Sequence, residues 1–133
     1  MCGTQKFFLC KHCGNMVGLI EDRGVPLICC GEKMSELVPN TAEASVEKHL
    51  PVVVNEPGSD HCSCLRVQVG SAAHPMEDKH HIAFVYVETK RGGQRKCLKA
   101  GEPPELTFCF ANDTPVAVYA YCNLHGLWKT GIK

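Results

Sequence analysis

Two sets of residues in this chain have the types and spacing of metal ligands. The first is compact in sequence. Cys10-Lys11-His12-Cys13 is a C-x-x-C pair, and Cys29-Cys30 adds two adjacent thiols. Two intervening residues let the chain curl until both sulfurs of the first pair face one ion, and Gly14 directly after them suits a turn that needs a positive φ. The second pair is harder to place. Neighbouring side chains in an extended chain point apart, so Cys29 and Cys30 reach one ion only with strain, and a tetrahedron distorted from ideal angles is expected. Four thiolates suit iron or zinc. His12 lies inside the knuckle, but four sulfurs saturate a tetrahedral site, so its expected place is facing solvent.

The second set is dispersed. His49 closes Glu47-Lys48-His49, His74 opens His74-Pro75-Met76, His80 and His81 are adjacent, and Cys122-Asn123-Leu124-His125 is spaced like a two-ligand turn. Adjacent residues on a strand face opposite sides, so one of His80 and His81 is expected to ligate. Four imidazoles with one thiolate exceed the four ligands of a structural zinc. Five such donors suit an octahedral iron with one position open. Neutral imidazoles and one thiolate on iron(II) leave a charge of +1, which favours a small anion at the open position.

Short strands and turns must position these ligands. From about residue 40 the segments 51–55, 62–69, 82–89, 94–99, 106–111 and 116–121 read as strands. The stretches Glu56 to Asp60, Arg91-Gly92-Gly93, Ala100 to Pro104 and Asn112 to Pro115 supply the Gly, Pro, Asn and Asp that turns require. Six or seven short strands in about 95 residues predict an antiparallel sandwich. Only residues 41–48 look helical, for one or two turns at most. The four histidine and cysteine motifs fall at strand ends or in loops, where they can converge. Residues 1–37 hold five cysteines and few large apolar residues, so they need a metal staple to fold. The junction is expected at Val38-Pro39-Asn40-Thr41, with one domain over 1–37 and another over 38–133.

Composition narrows the function classes. Lys+Arg and Asp+Glu are both 14, so the chain is neutral and lacks the basic stripe of a nucleic-acid binder. No apolar run approaches the roughly 18–20 residues that cross a bilayer, and residues 1–9 carry no secretory leader. A cytoplasmic protein with no membrane or nucleic-acid partner is expected. In that setting ten cysteines read as metal ligands rather than disulfides.

Together these motifs resemble the desulfoferrodoxin family of superoxide reductases. Residues 10–13 and 29–30 resemble its desulforedoxin part. Glu47-Lys48-His49, the run from His74 to His80 and the run from Cys122 to Trp128 resemble its neelaredoxin-type catalytic part. The resemblance implies a mainly β chain: a small rubredoxin/desulforedoxin-like knuckle, then an immunoglobulin-like seven-stranded antiparallel sandwich. It implies two irons, one on Cys10, Cys13, Cys29 and Cys30, the other on equatorial His49, His74, His80 and His125 with axial Cys122. It implies that Lys48 lies beside the open position and that Glu47 is a mobile carboxylate able to reach the oxidised iron. The implied reaction is one-electron reduction of superoxide to hydrogen peroxide. Rubredoxin or an NAD(P)H-dependent reductase is the implied donor, and a homodimer the implied assembly.

Five cysteines match no ligand of that family: Cys2, Cys62, Cys64, Cys97 and Cys109. They are expected to be small buried or surface thiols. Cys62 and Cys64 share one face of a strand, which leaves a third, adventitious metal site open. Two other functions compete with the enzyme. A rubredoxin-like electron carrier would give no peroxide-forming step with superoxide, and a zinc-stapled interaction module would be colourless.

Overall fold

The computed structural model describes residues 3–132; Met1, Cys2 and Lys133 lie outside the described residues. It is mainly β and forms two compact units that meet in sequence between Val38 and Pro39. Among the described residues no helix is long and apolar enough to cross a membrane.

The first unit is built from very short strands. β1 (Lys6–Leu9) lies between β2 (Met16–Leu19) and β5 (Ser35–Glu36), while β3 (Ile28–Cys29) and β4 (Glu32–Lys33) form a separate hairpin. Phe7, Cys10 and Met34 are buried, whereas Ile20, Val25 and Ile28 are exposed. Three buried side chains make too small a core to hold a segment of this length.

The second unit begins with α1 (Val46–His49), a single turn that overlaps the end of the region 41–48 expected to be helical and runs one residue past it. Seven strands follow: β6 (Pro51–Ser59), β7 (Cys62–Val69), β8 (Ile82–Thr89), β9 (Gly92–Cys97), β10 (Glu105–Ala111), β11 (Pro115–Cys122) and β12 (Gly126–Gly131). They form antiparallel sheets in the orders β10-β7-β6 and β12-β11-β8-β9. Alternation drives the packing. Leu65, Val67 and Val69 point inward from β7 and meet Ile82, Val85 and Val87 of β8, Phe108 and Phe110 of β10, and Val118, Ala120 and Cys122 of β11. One core thus draws on both sheets.

Three local expectations are corrected. Pro57, Gly58 and Ser59 belong to β6 rather than to a turn, because a register shift opposite β7 between Glu56 and Ser59 takes up the extra residues. The β8–β9 turn is Lys90-Arg91, and the glycines after it are in the strand. At Gly93 the Tyr86 side chain fills the place of a Cβ, so only glycine fits. β12 was not expected as a strand, although its Leu127 and Trp128 are buried.

Candidate metal centres

The four-cysteine cluster is made by two tight turns. The Gly14 amide donates to the Cys10 carbonyl at 2.9 Å and the Cys10 amide to the Asn15 carbonyl at 2.8 Å, with Gly14 at φ +83°. This closes the first knuckle. The second is the β3–β4 hairpin, whose two-residue turn is Cys30-Gly31 with φ +52° and +72°. A turn with both central residues at positive φ matches the twist of a hairpin. It also resolves the difficulty of adjacent cysteines: the left-handed backbone at Cys30 swings its side chain to the side of Cys29. The four sulfurs lie within 4.8 Å of one another, Cys13 and Cys29 at 3.6 Å. His12 is exposed and its Nε2 lies 2.6 Å from the Glu32 carboxylate, outside the cluster.

The sulfurs resist simultaneous ionisation. Backbone amides, chiefly that of Cys13, hold the Cys10 thiol down at about 6. Hydrogen bonding to Cys10 and Cys13 raises Cys29, and bonding to Cys13 and Cys10 pushes Cys30 up to about 12. One thiolate is therefore favoured at the expense of its neighbours, and four together need a cation among them. The donor set fits iron or zinc.

The second cluster gathers residues from three separate segments. His49 comes from the end of α1, His74 and His80 from the β7–β8 connection, and Cys122 and His125 from the end of β11 and the turn after it. Ring centroids run His49–His74 4.6 Å, His74–His80 4.7 Å, His80–His125 5.1 Å and His125–His49 4.9 Å, with 6.2 Å across from His49 to His80. Neighbouring rings stand 75° to 89° apart, while His49 and His80 are tilted by only 32°. Four imidazoles thus close a square. The Cys122 sulfur, buried in the sandwich core, lies 3.8 Å from His125 Nδ1. Of the adjacent pair, His80 joins the square and His81 turns its Nδ1 to the Glu77 carbonyl at 3.1 Å.

Hydrogen bonds set which nitrogen of each ring is bare. His49 Nδ1 donates to the Ser45 carbonyl and His74 Nδ1 to the Pro75 carbonyl, each at 2.7 Å. Burial lowers both pKa values, that of His74 to about 4, so both rings are neutral near pH 7 and carry no proton on Nε2. Yet these two Nε2 atoms lie 3.1 Å apart, and His49 Nε2 is also 3.1 Å from His125 Nδ1. Two lone pairs cannot hydrogen-bond each other. In addition, His80 Nε2 is buried without a hydrogen-bond partner, an arrangement that costs free energy unless something binds it. A cation at the centre of the square answers both observations. The protein carbonyls then act as the outer supports that fix ligand tautomers at metal sites. Three rings present Nε2 and His125 presents Nδ1.

The scaffold explains the convergence. The Glu47 carbonyl accepts from the Ala72 amide at 3.0 Å and from Ser71 Oγ at 3.3 Å, pinning α1 to the loop before His74. A Cβ on Gly70 would collide with the Glu47 carbonyl oxygen, so glycine is required for that approach. Asn123 Oδ1 accepts from the His81 amide and its Nδ2 donates to the Lys79 carbonyl, joining the His80 segment to the Cys122 turn. Trp128 stacks on His49 with centroids 5.0 Å apart and donates from Nε1 to the His125 carbonyl at 3.2 Å. Asn123 and Trp128 lie inside the motif that begins at Cys122, but neither side chain is a metal-ligand type, so spacing alone gives them no task. Glu47 and Lys48 are exposed on α1.

The unmatched cysteines are not all thiols. Cys64 and Cys109 form a disulfide, which corrects that expectation for both. The physical reason is register: β7 and β10 pair so that the two residues face each other across the strands, with Cα atoms 4.1 Å apart. Cys62 and Cys97 are free, half-buried and exposed respectively. The sulfurs of Cys62, Cys64 and Cys109 lie within 4.8 Å of one another.

Comparison with known proteins agrees with this arrangement. The family model described as Desulfoferrodoxin matches residues 41–131. A desulfoferrodoxin of Nitratidesulfovibrio vulgaris is 40% identical over 129 residues, 97% of this chain and 98% of its own. A superoxide reductase of Pyrococcus horikoshii is 32% identical over 101 residues, 65% of this chain and 87% of its own. The crystal structure of the superoxide reductase from Treponema pallidum aligns with TM-score 0.76 and 34% identity, covering 96% of this chain and 99% of that one.

Proposed function

The chain belongs to the desulfoferrodoxin family, and from that membership we propose that it is a superoxide reductase carrying two irons. The observation that carries the reading is the square of four imidazoles, in which the bare Nε2 atoms of His49 and His74 face each other, with a buried thiol as fifth donor. The catalytic iron is assigned to His49, His74, His80, His125 and Cys122. The second iron is assigned to Cys10, Cys13, Cys29 and Cys30 in a desulforedoxin-like domain. The sandwich unit is then the immunoglobulin-like catalytic domain. Bound iron supplies the one-electron couple that reduces superoxide, with two protons, to hydrogen peroxide.

The chain's own residues do the rest. Lys48 is exposed beside His49, and after burial and the neighbouring histidines its charge is among the influences that lower the His49 pKa. A cation so placed draws a small anion toward the square, the steering that charged sites exert on encounter rates. Glu47 occupies the next position on α1, and its carboxylate is assigned to cover the site after turnover. The Ser45 and Pro75 carbonyls hold two rings in the tautomer the metal needs. Cys122 enters from the apolar core, where a thiolate is shielded from solvent.

An external reductant is required, because each turnover consumes an electron. The proposed donor is rubredoxin or an NAD(P)H-dependent reductase, in the cytoplasm, and the proposed assembly is a homodimer. The four-cysteine iron has an electron-transfer or structural role. Metal analysis should give two irons per chain and a coloured oxidised protein. Stopped-flow mixing of the reduced protein with superoxide should yield one peroxide per catalytic iron oxidised, without release of oxygen. Evolution of oxygen, or failure to oxidise the iron, would overturn the assignment.

A further inference from the structure

We propose that Cys62, Cys64 and Cys109 form a peroxide-driven thiol–disulfide site at the end of the sandwich away from the histidine square. Three observations carry it. The three sulfurs lie within 4.8 Å of one another on neighbouring strands. Two of them are bonded, and Cys62 remains a free thiol beside the bond. The cluster is also open: Cys109 is exposed, Cys62 and Cys64 are half-buried, and Cys62 lines a cavity of about 300 Å³ together with Asp60, His61, Asn112 and Asp113. A purely structural disulfide is normally shielded and has no third thiol in reach, whereas exposed disulfides are the labile ones.

The site is independent of the iron. β7 runs from Cys62 to Val69, and the Val69 carbonyl accepts from the His74 amide. Seven residues of strand separate the two ends by about 23 Å. The site rests on the reading above only for a nearby source of hydrogen peroxide.

Closure begins at Cys109, the sulfur that solvent reaches. Its thiolate attacks hydrogen peroxide: an S–O bond forms, the O–O bond breaks, and hydroxide leaves as water after taking a proton. The Cys64 thiol then attacks that sulfur. The S–S bond forms, the S–O bond breaks, and the second oxygen leaves as water with the proton from Cys64. Two thiols and one peroxide become one disulfide and two waters. Next, the Cys62 thiolate attacks the Cys64 sulfur, Cys109 leaves as a solvated thiolate, and the proton lost by Cys62 passes to Cys109. That exchange is redox-neutral and reversible, and the Cys64–Cys109 bond with Cys62 free is its favoured form. An external dithiol reopens the site and is itself oxidised to its disulfide.

The test uses the iron-loaded full chain, reduced with dithiothreitol, freed of it without oxygen, and given one equivalent of hydrogen peroxide. Alkylation followed by tryptic mapping should show peptides 49–66 and 100–129 linked through Cys109, with alkylation of Cys109 reduced at least tenfold. Dithiothreitol should reverse this without denaturant. In Cys64→Ser, peroxide should link Cys62 to Cys109 instead. In Cys62→Ala, which leaves the bonded pair intact, opening by dithiothreitol should slow at least fivefold. Equal alkylation of Cys109 before and after peroxide, a bond that opens only on denaturation, or an unchanged opening rate in Cys62→Ala would each overturn the site. The visible bands of both irons and superoxide consumption, read on the same samples, report separately on the enzymatic reading.

Discussion

The two metal clusters sit on opposite kinds of scaffold. The four-cysteine cluster draws on two hairpin-like turns within about twenty residues, and among the described residues its unit buries only Phe7, Cys10 and Met34. The histidine square draws on three distant segments that hang from a seven-stranded sandwich with its own apolar core. In the first case the metal takes the place of a core. In the second a finished core holds the ligands in readiness. The supports differ accordingly. Backbone amides of the knuckle act on Cys10, whereas carbonyls, Asn123 and Trp128 orient the rings from outside the square.

Stripping both metals breaks the comparison open most widely. The four-cysteine unit should unfold, since structural sites of this kind supply on the order of 10 kcal/mol of folding free energy. Amides of β1 and β2 should then exchange freely while those of β7 and β11 stay protected. Hydrogen exchange on the chelated protein measures this directly. If β1 remained protected without metal, the unit would possess a core of its own and the contrast would disappear.

Replacing one ligand at the square should spare the fold and remove the chemistry. Cys122→Ser should abolish the thiolate-to-iron(III) band of the catalytic centre and slow superoxide reduction by more than about 100-fold, beyond what outer supports usually cost. The sandwich should still unfold cooperatively, and the bands of the four-cysteine iron should persist. Survival of the band would make another residue the sulfur donor. Trp128→Phe is milder. It keeps a stacking ring against His49 but loses the bond to the His125 carbonyl, so iron affinity should fall about tenfold and stability by about 1 kcal/mol. Competition with a chelator and thermal melting read the two effects separately.

Much of this was legible in the residues because metal ligands are costly to place by chance. The C-x-x-C pair, the adjacent cysteines and the dispersed histidines locate both clusters, and 62–69 and 82–89 match β7 and β8 residue for residue. What escaped depends on strand pairing. No spacing in the chain says that Cys64 faces Cys109, because that follows from the β7–β10 register. The positive φ at Cys30 was hidden for a related reason: only the hairpin shows that the two cysteines straddle a turn. β12 escaped because its Gly126-Leu127-Trp128 start continues a ligand motif, although Trp128 pairs with Ala120 as an ordinary strand residue.

The smallest effect sharpens the comparison at the rim of the square. Lys48 is exposed and its charge acts through water, where Coulomb energies are modest and salt screens them over roughly 8–10 Å. Lys48→Ala should therefore leave both irons, their spectra and the melting temperature unchanged. It should slow the second-order reaction with superoxide by about three- to tenfold at low salt. The gap between wild type and variant should close as ionic strength rises, because only the encounter is affected. Lys48→Arg, which restores the charge, should recover most of the rate. A salt-independent loss in Lys48→Ala, unrecovered by arginine, would instead give the ammonium a specific part in proton delivery. Stopped-flow measurements across a salt series, with the variants side by side, decide between steering and proton transfer.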